Sequence, residues 1–162
     1  MTIDELEQNI VNALQHIDFD TKYYEFCHSR KGHKITPEDN LSVNQTRALM
    51  DEAPIPFDYI RSENFFRHQE SHDAYTLSLH VEIFRGIVSM GLYVHFRGEP
   101  LGGRYQDLAA EALKNRNDGA TPPETGIVMR SSNYQEIVDA LNFGISLFQE
   151  AQPAIEKCIP WK

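Results

Sequence analysis

Cysteine is scarce in this chain: two among 162 residues, Cys27 and Cys158, far apart in sequence. A zinc knuckle or a redox pair needs closely spaced thiols, so neither is expected and both cysteines read as free. Bases are few as well, 15 Lys and Arg against 24 Asp and Glu, giving a net charge of -9. Sequence-independent binding to nucleic acid, or to an anionic membrane surface, rests on a positive field, so neither partner is expected. A basic partner is electrostatically favoured, although an acidic surface also serves plain solubility. No apolar run approaches the ~18 residues of a membrane span. The first twenty residues, MTIDELEQNIVNALQHIDFD, hold five acids and no lysine or arginine, unlike a secretory leader. The setting expected from these absences is cytoplasmic.

Chemical signatures are missing too. No serine sits in a nucleophile-elbow motif, and no carboxylate pair is marked out by spacing as acid and base, so no catalytic residue is assigned. The glycines at 98, 102 and 103 match neither the dinucleotide fingerprint nor the Walker spacing. No cofactor and no metal are expected.

What remains is an ordinary globular composition, 41% hydrophobic and 24% charged. A chain of 162 residues reads as a single domain over residues 1–162, able to bury roughly 68 to 70% of its unfolded surface. Thr2 with Glu5 forms a capping box, and Ile3, Leu6, Ile10, Leu14 and Ile17 share one stripe, which predicts a helix over 3–16. KYYEFCHSR, 22–30, is aromatic and β-prone and reads as a strand turning back at Lys31-Gly32. On that strand Cys27 and His28 would point to opposite faces, which argues against a nucleophile-base dyad. Thr36-Pro37 opens a helical turn, and a second capping box, Ser42 with Gln45, predicts a helix over 43–52. APIPF is an extended connector, because proline restricts both itself and the residue before it. DYIRSENFFRHQESHD fits either a short strand or a helical turn.

The strongest pattern is YTLSLHVEIFRGIVSMGLYVHF, 75–96. Arg85-Gly86 suits a two-residue turn with positive φ. Residues whose numbers sum to 171 then face one another: Val81 and Met90, Leu79 and Leu92, Leu77 and Val94, Tyr75 and Phe96. Each pair is apolar and on one face, as a buried register requires. The hairpin is placed at about 74–84 and 87–97. Its other face collects His80, Glu82, Tyr93, His95 and Arg97. After a GEPLGG loop, helices are expected over 104–115 and from Asn133 onward, with a short strand TGIVMR between them and Pro153 kinking or ending the last helix. The fold class is therefore α+β: a two-layer sandwich with a mostly antiparallel sheet around a long central hairpin, covered by amphipathic helices on one face.

HQESH, 68–72, resembles a zinc-protease spacing, but Gln69 stands where a proton-accepting glutamate is needed, so a polar loop is the better reading. His80 and His95 lie four positions apart in this register, too far for one zinc. The leading functional expectation is a non-catalytic protein-binding module whose polar hairpin face, His80, Glu82, Tyr93, His95 and Arg97, docks another protein. An acidic immunity or inhibitor protein that neutralises a basic toxin enzyme by occlusion is one form of it. The alternative is a small enzyme or anion-binding domain using Gly102, Gly103, Arg104 and a histidine. A further one is a homo-oligomeric structural subunit, and the face can also be merely solvated.

Overall fold

The structure, a computed structural model, describes residues 1–160. Three helices come first: α1 (Ile3–His16), α2 (Phe19–Ser29) and, after a 3-10 turn at Pro37–Asp39, α3 (Val43–Asp51). Five strands follow without interruption: β1 (Asp58–Ile60), β2 (Phe65–Ser71), β3 (Thr76–Phe84), β4 (Ile87–Phe96) and β5 (Glu99–Arg104). Helix α4 (Tyr105–Asn117), the two-residue strand β6 (Met129–Arg130) and α5 (Tyr134–Glu156) complete the described chain. The sheet runs β1-β2-β3-β4-β5, every pairing antiparallel, with β6 beside the start of β4. The fold is α+β.

The capping boxes form as the sequence predicts. Thr2 and Glu5 exchange bonds of 3.1 and 2.8 Å at the start of α1, and Ser42 and Gln45 bonds of 3.2 and 2.8 Å at α3. The Asn133 side chain accepts from the Glu136 amide at α5. Each satisfies amides that a helix start leaves without intrahelical partners.

The central hairpin has the expected register, Val81 with Met90, Leu79 with Leu92 and Leu77 with Val94. Arg85 and Gly86 have φ of 50° and 76°, the doubly positive turn whose twist matches a hairpin. The same solution recurs one strand later. Arg97 and Gly98, at 53° and 79°, turn β4 into β5, so GEPLGG after its first glycine is strand where a loop was expected. The repeated tripeptide Phe-Arg-Gly at 84–86 and 96–98 is the signal for this second hairpin.

Two other expectations are corrected. Residues 22–30 are not a strand: Phe19, Tyr23 and Cys27, spaced by four, are buried along α2, and tertiary burial of that stripe outweighs the β preference of its aromatics. The strand expected over 125–130 is only Met129–Arg130. In addition, α5 runs past Pro153 and stops at Glu156.

The helices lie on the Leu77, Leu79, Leu92 and Val94 side of the sheet. Helix α5 crosses β4 at Gly144, where an added Cβ would lie 2.1 Å from Met90 Sδ. Tyr105 of α4 donates its hydroxyl to the Gly144 carbonyl at 2.7 Å and meets the Phe19 ring edge-on at 5.1 Å. Helices α1 and α2 pack against α4 in turn. Their junction is fixed by Arg116 of α4, which grips the fully buried Asp20 through two nitrogens at 3.0 and 3.1 Å and also reaches Asp18 at 2.9 Å. Among the described residues this layering leaves the second sheet face without a helix.

Candidate functional site

Strand alternation collects Phe65 and Arg67 of β2, Ser78, His80 and Glu82 of β3, Gly91, Tyr93 and His95 of β4 and Arg104 at the end of β5 on the open face. At its centre the His80 ring lies between two aromatic rings, with centroids 4.6 Å from Phe65 and 4.6 Å from Tyr93. Gly91 is the residue opposite His80. It does not leave a hollow, because the Tyr93 ring folds back over it: a Cβ at Gly91 would come within 2.6 Å of that ring. Phe65, buried, and His80 and Tyr93, half-buried, thus form one plate across three strands.

The electrostatics of this plate follow from its burial. The His80 pKa falls to about 4, first because burial penalises the imidazolium and then because Arg67 and His95 stand close. His80 is therefore an uncharged ring at neutral pH. Burial raises the Tyr93 phenol, with Arg104 working in the opposite direction. Beside the plate, Arg67 Nε is buried and has no hydrogen-bond partner among the described residues, a cost that native structures rarely leave unrelieved.

The five residues expected on this face are not all equivalent. His80 and Tyr93 are in contact, while Glu82 and His95 are exposed on either side of them. Arg97 leaves the face: β4 ends at Phe96, Arg97 takes a left-handed turn conformation, and its guanidinium lies 4.8 Å over the ring of Phe96. Gly102 and Gly103 stand in β5, paired with Tyr93 and Leu92, and Arg104 is met by Asp107 at 3.3 Å. Phe65 and Arg67 escaped the sequence reading. The signal was a second register, residues summing to 147, which places Phe66 opposite Val81. It was masked because the same row puts His68 and Glu70 opposite Leu79 and Leu77, polar residues where an apolar match is sought.

Those inner polar residues are satisfied. His68 to Ser71 of HQESH are the end of β2 and not a loop, with His72 just beyond it. His68 Nδ1 lies 2.7 Å from the Pro56 carbonyl and Nε2 lies 2.8 Å from Glu70, which also accepts from Gln152 of α5 at 2.5 Å. His72 is 3.9 Å from the same carboxylate. The cluster ties β2 to the Pro-rich connector and to α5, and among the described residues no three His, Cys, Asp or Glu converge on a metal position. Cys27 is buried and its thiol is pushed up to about 11 by that burial, with Tyr23 partly opposing, so it is not a thiolate at neutral pH. His28 faces outward to Glu124 at 3.0 Å.

The described residues contain no helix long and apolar enough to cross a membrane. In comparison with known proteins, the chain matches no family model, no curated protein and no solved structure.

Proposed function

We propose that this protein is a non-catalytic binding module that docks another protein on its open sheet face, around Phe65, His80 and Tyr93. The observation that carries this reading is a plate of three rings on a sheet face that no described helix covers, beside a buried donor, Arg67 Nε, that has no acceptor among the described residues. Ring side chains give contact area with few rotors to immobilise. An uncharged His80 adds to the apolar area instead of resisting desolvation. A partner carbonyl or carboxylate at Arg67 would satisfy a donor whose isolation costs about 1–3 kcal/mol. Glu82 and His95 at the margins of the plate set orientation.

In its more specific form the protein is an acidic immunity or inhibitor protein that neutralises a basic toxin enzyme by occlusion in the cytoplasm. The net charge of -9 supports that form, since complementary charge speeds encounter more than it tightens the complex.

The test compares capture from native lysate by the intact chain and by the Tyr93→Ala/Glu82→Lys variant, with folding checked by circular dichroism. A protein retained by the parent chain and reduced at least tenfold on the variant is expected. Equal retention by both rejects this surface.

A further inference from the structure

A second concave region lies at the tip of the central hairpin, where Glu82, at the margin of the ring plate, also forms part of its wall. It consists of two adjoining hollows that share Asn40 and Arg85 in their walls. The first, about 380 Å³, is walled by Tyr59, Phe66, Phe84 and Val43 with Asn64 at its edge. The second, about 420 Å³, is walled by His33, Lys34, Arg85 and Arg130. Each volume lies within the range of roughly 300–1,000 Å³ usual for small-molecule sites.

The contents of the two hollows are unusual for this chain. Phe84 and Val43 are 68% and 56% exposed, and the only other large hydrophobic side chains exposed to this degree among the described residues are Met1 and Tyr134. Two of these four therefore border the same hollow. The second hollow gathers four basic side chains and no carboxylate among the described residues that line it, in a chain where acids outnumber Lys and Arg by 24 to 15. Glu136 adjoins the hollow through His33: it accepts from the Ser132 amide at 2.7 Å and hydroxyl at 2.5 Å and lies 2.9 Å from His33 Nδ1, so His33 is already paired and Lys34, Arg85 and Arg130 are the cations left to a ligand. Lys34 and Arg130 have no side-chain hydrogen bond or ion pair within the described chain. The Arg85 guanidinium rests 5.1 Å over the Phe84 ring, which places it at the seam between the apolar and basic halves.

The walls are held firmly. Gly86, at φ 76°, approaches the 33–37 segment and β6 so closely that a Cβ there would lie 2.8 Å from Ile35 Cβ and 2.7 Å from the Ser131 carbonyl. Arg130 is paired through β6 with Ile87 of the hairpin. The basic residues thus sit on packed backbone and are not scattered along a free loop.

We propose that this cleft binds a nucleoside phosphate, its phosphates in the basic hollow and its base in the aromatic one. Arginine matches phosphate oxygens with paired donors, and lysine supplies a point charge. Tyr59, Phe66 and Phe84 offer stacking and edge contacts to a flat ring. The Tyr59 hydroxyl donates to Asn64 Oδ1 at 2.7 Å, which leaves the Asn64 amide nitrogen to donate to the edge of a base. An all-apolar occupant would leave such polar rim groups without partners.

Isothermal titration calorimetry of the full chain with ADP, adenosine and inorganic phosphate, without divalent metal, tests this. ADP is expected to bind at least tenfold more tightly than either fragment. Lys34→Glu/Arg130→Glu is expected to bring ADP down to the affinity of adenosine and to leave adenosine unchanged. Phe84→Ala/Val43→Ser is expected to bring ADP down to the affinity of phosphate. These side chains are exposed or partly exposed, and thermal melting of each variant checks that it folds. ADP binding no tighter than inorganic phosphate, or unaffected by Lys34→Glu/Arg130→Glu, overturns the proposal. So does tighter binding of octyl phosphate than of ADP, which would make the first hollow a site for an alkyl chain.

Discussion

His80 and Glu136 show how single side chains write two separate pH dependences into the stability of this protein. For His80 the folded pKa is about 4, below its ordinary 6.5. The unfolded chain therefore binds the proton first, so the stabilisation is complete above about pH 6.5 and is lost as pH falls toward 4. Half-burial and solvent screening bring the loss to about 1–3 kcal/mol. Urea titrations at pH 7 and pH 4 are expected to show it, and His80→Phe should remove this part of the slope. An NMR titration of the His80 ring with a midpoint above 6 would contradict the plate as described. For Glu136, burial tends to raise the pKa. The hydroxyl and amide of Ser132, the His33 ring and Arg30 more than offset that, lowering it to about 2 from 4.5. Its contribution is whole above about pH 4.5 and lost as pH falls to 2. Because the side chain is 21% exposed, Glu136→Gln is expected to cost about 1–2 kcal/mol at pH 7 after screening, with the gap to the parent chain closing between pH 4.5 and 2. Denaturation curves for the two variants should separate the two windows.

At the scale of elements, the contact between α5 and β4 passes through Gly144 and Met90. Helix propensity alone would reward Gly144→Ala with about 1 kcal/mol. The added Cβ would lie 2.1 Å from Met90 Sδ and 2.5 Å from its Cε, and overpacking a closed core costs about 1–3 kcal/mol. The variant is expected to lose about 1–2 kcal/mol net. Combined with Met90→Ala it should be less damaging than the sum of the two single changes by about 1 kcal/mol, since neighbours in contact are not additive. Additive values in chemical denaturation would mean that α5 does not cross there. The junction of α1, α2 and α4 makes a larger demand: Arg116→Ala leaves Asp20, 1% exposed, without its guanidinium, and about 3–5 kcal/mol should be lost in the same assay. Elements were legible where one physical rule governed each position. Helix α1, with its cap and a stripe of period 3.6, and the β3-β4 ribbon, with one wholly apolar register, both satisfy that condition. Helix α2 was not legible, because Tyr23 and Tyr24 favour strand locally while the burial of Phe19, Tyr23 and Cys27 is decided only by packing against α4 and its neighbours. Strand β2 was hidden by His68 and Glu70, whose place on the inner face depends on partners at Pro56 and Gln152. Two of the three rings of the plate were consequently visible from sequence, His80 and Tyr93, while Phe65 and the neighbouring Arg67 waited on β2.

For the molecule as a whole, the acidic excess is divided unevenly between its two sides. On the open sheet face the strand registers put Arg67, Arg104 and Arg130 with only Asp58 and Glu82. The excess of acids behind the net charge of -9 is therefore carried by the helical layer and the loops, as with Asp4, Glu5 and Glu7 of α1 and Glu111 of α4. A basic partner of the proposed kind would be drawn by the helical side, yet the ring plate that would hold it faces the other way. Steering and holding are then separate tasks, and kinetics can tell them apart. Charges that only steer act through solvent and are screened beyond about 10 Å at 0.1 M salt. They change the association rate, whereas groups desolvated at the contact change the dissociation rate. Once a partner is captured, Glu7→Lys/Glu111→Lys is expected to slow association several-fold at low salt, with the difference fading above 0.3 M, roughly where screening is complete, and to leave dissociation unchanged. Tyr93→Ala is expected to speed dissociation at least tenfold and to leave association within about twofold, because the loss of a central aromatic anchor, about 2 kcal/mol or more, appears in the lifetime of the complex. Surface plasmon resonance over a salt series reads both. A dissociation rate that follows Glu7 and Glu111 instead of Tyr93 would move the contact to the helical layer, and the open sheet face would then be a solvated back.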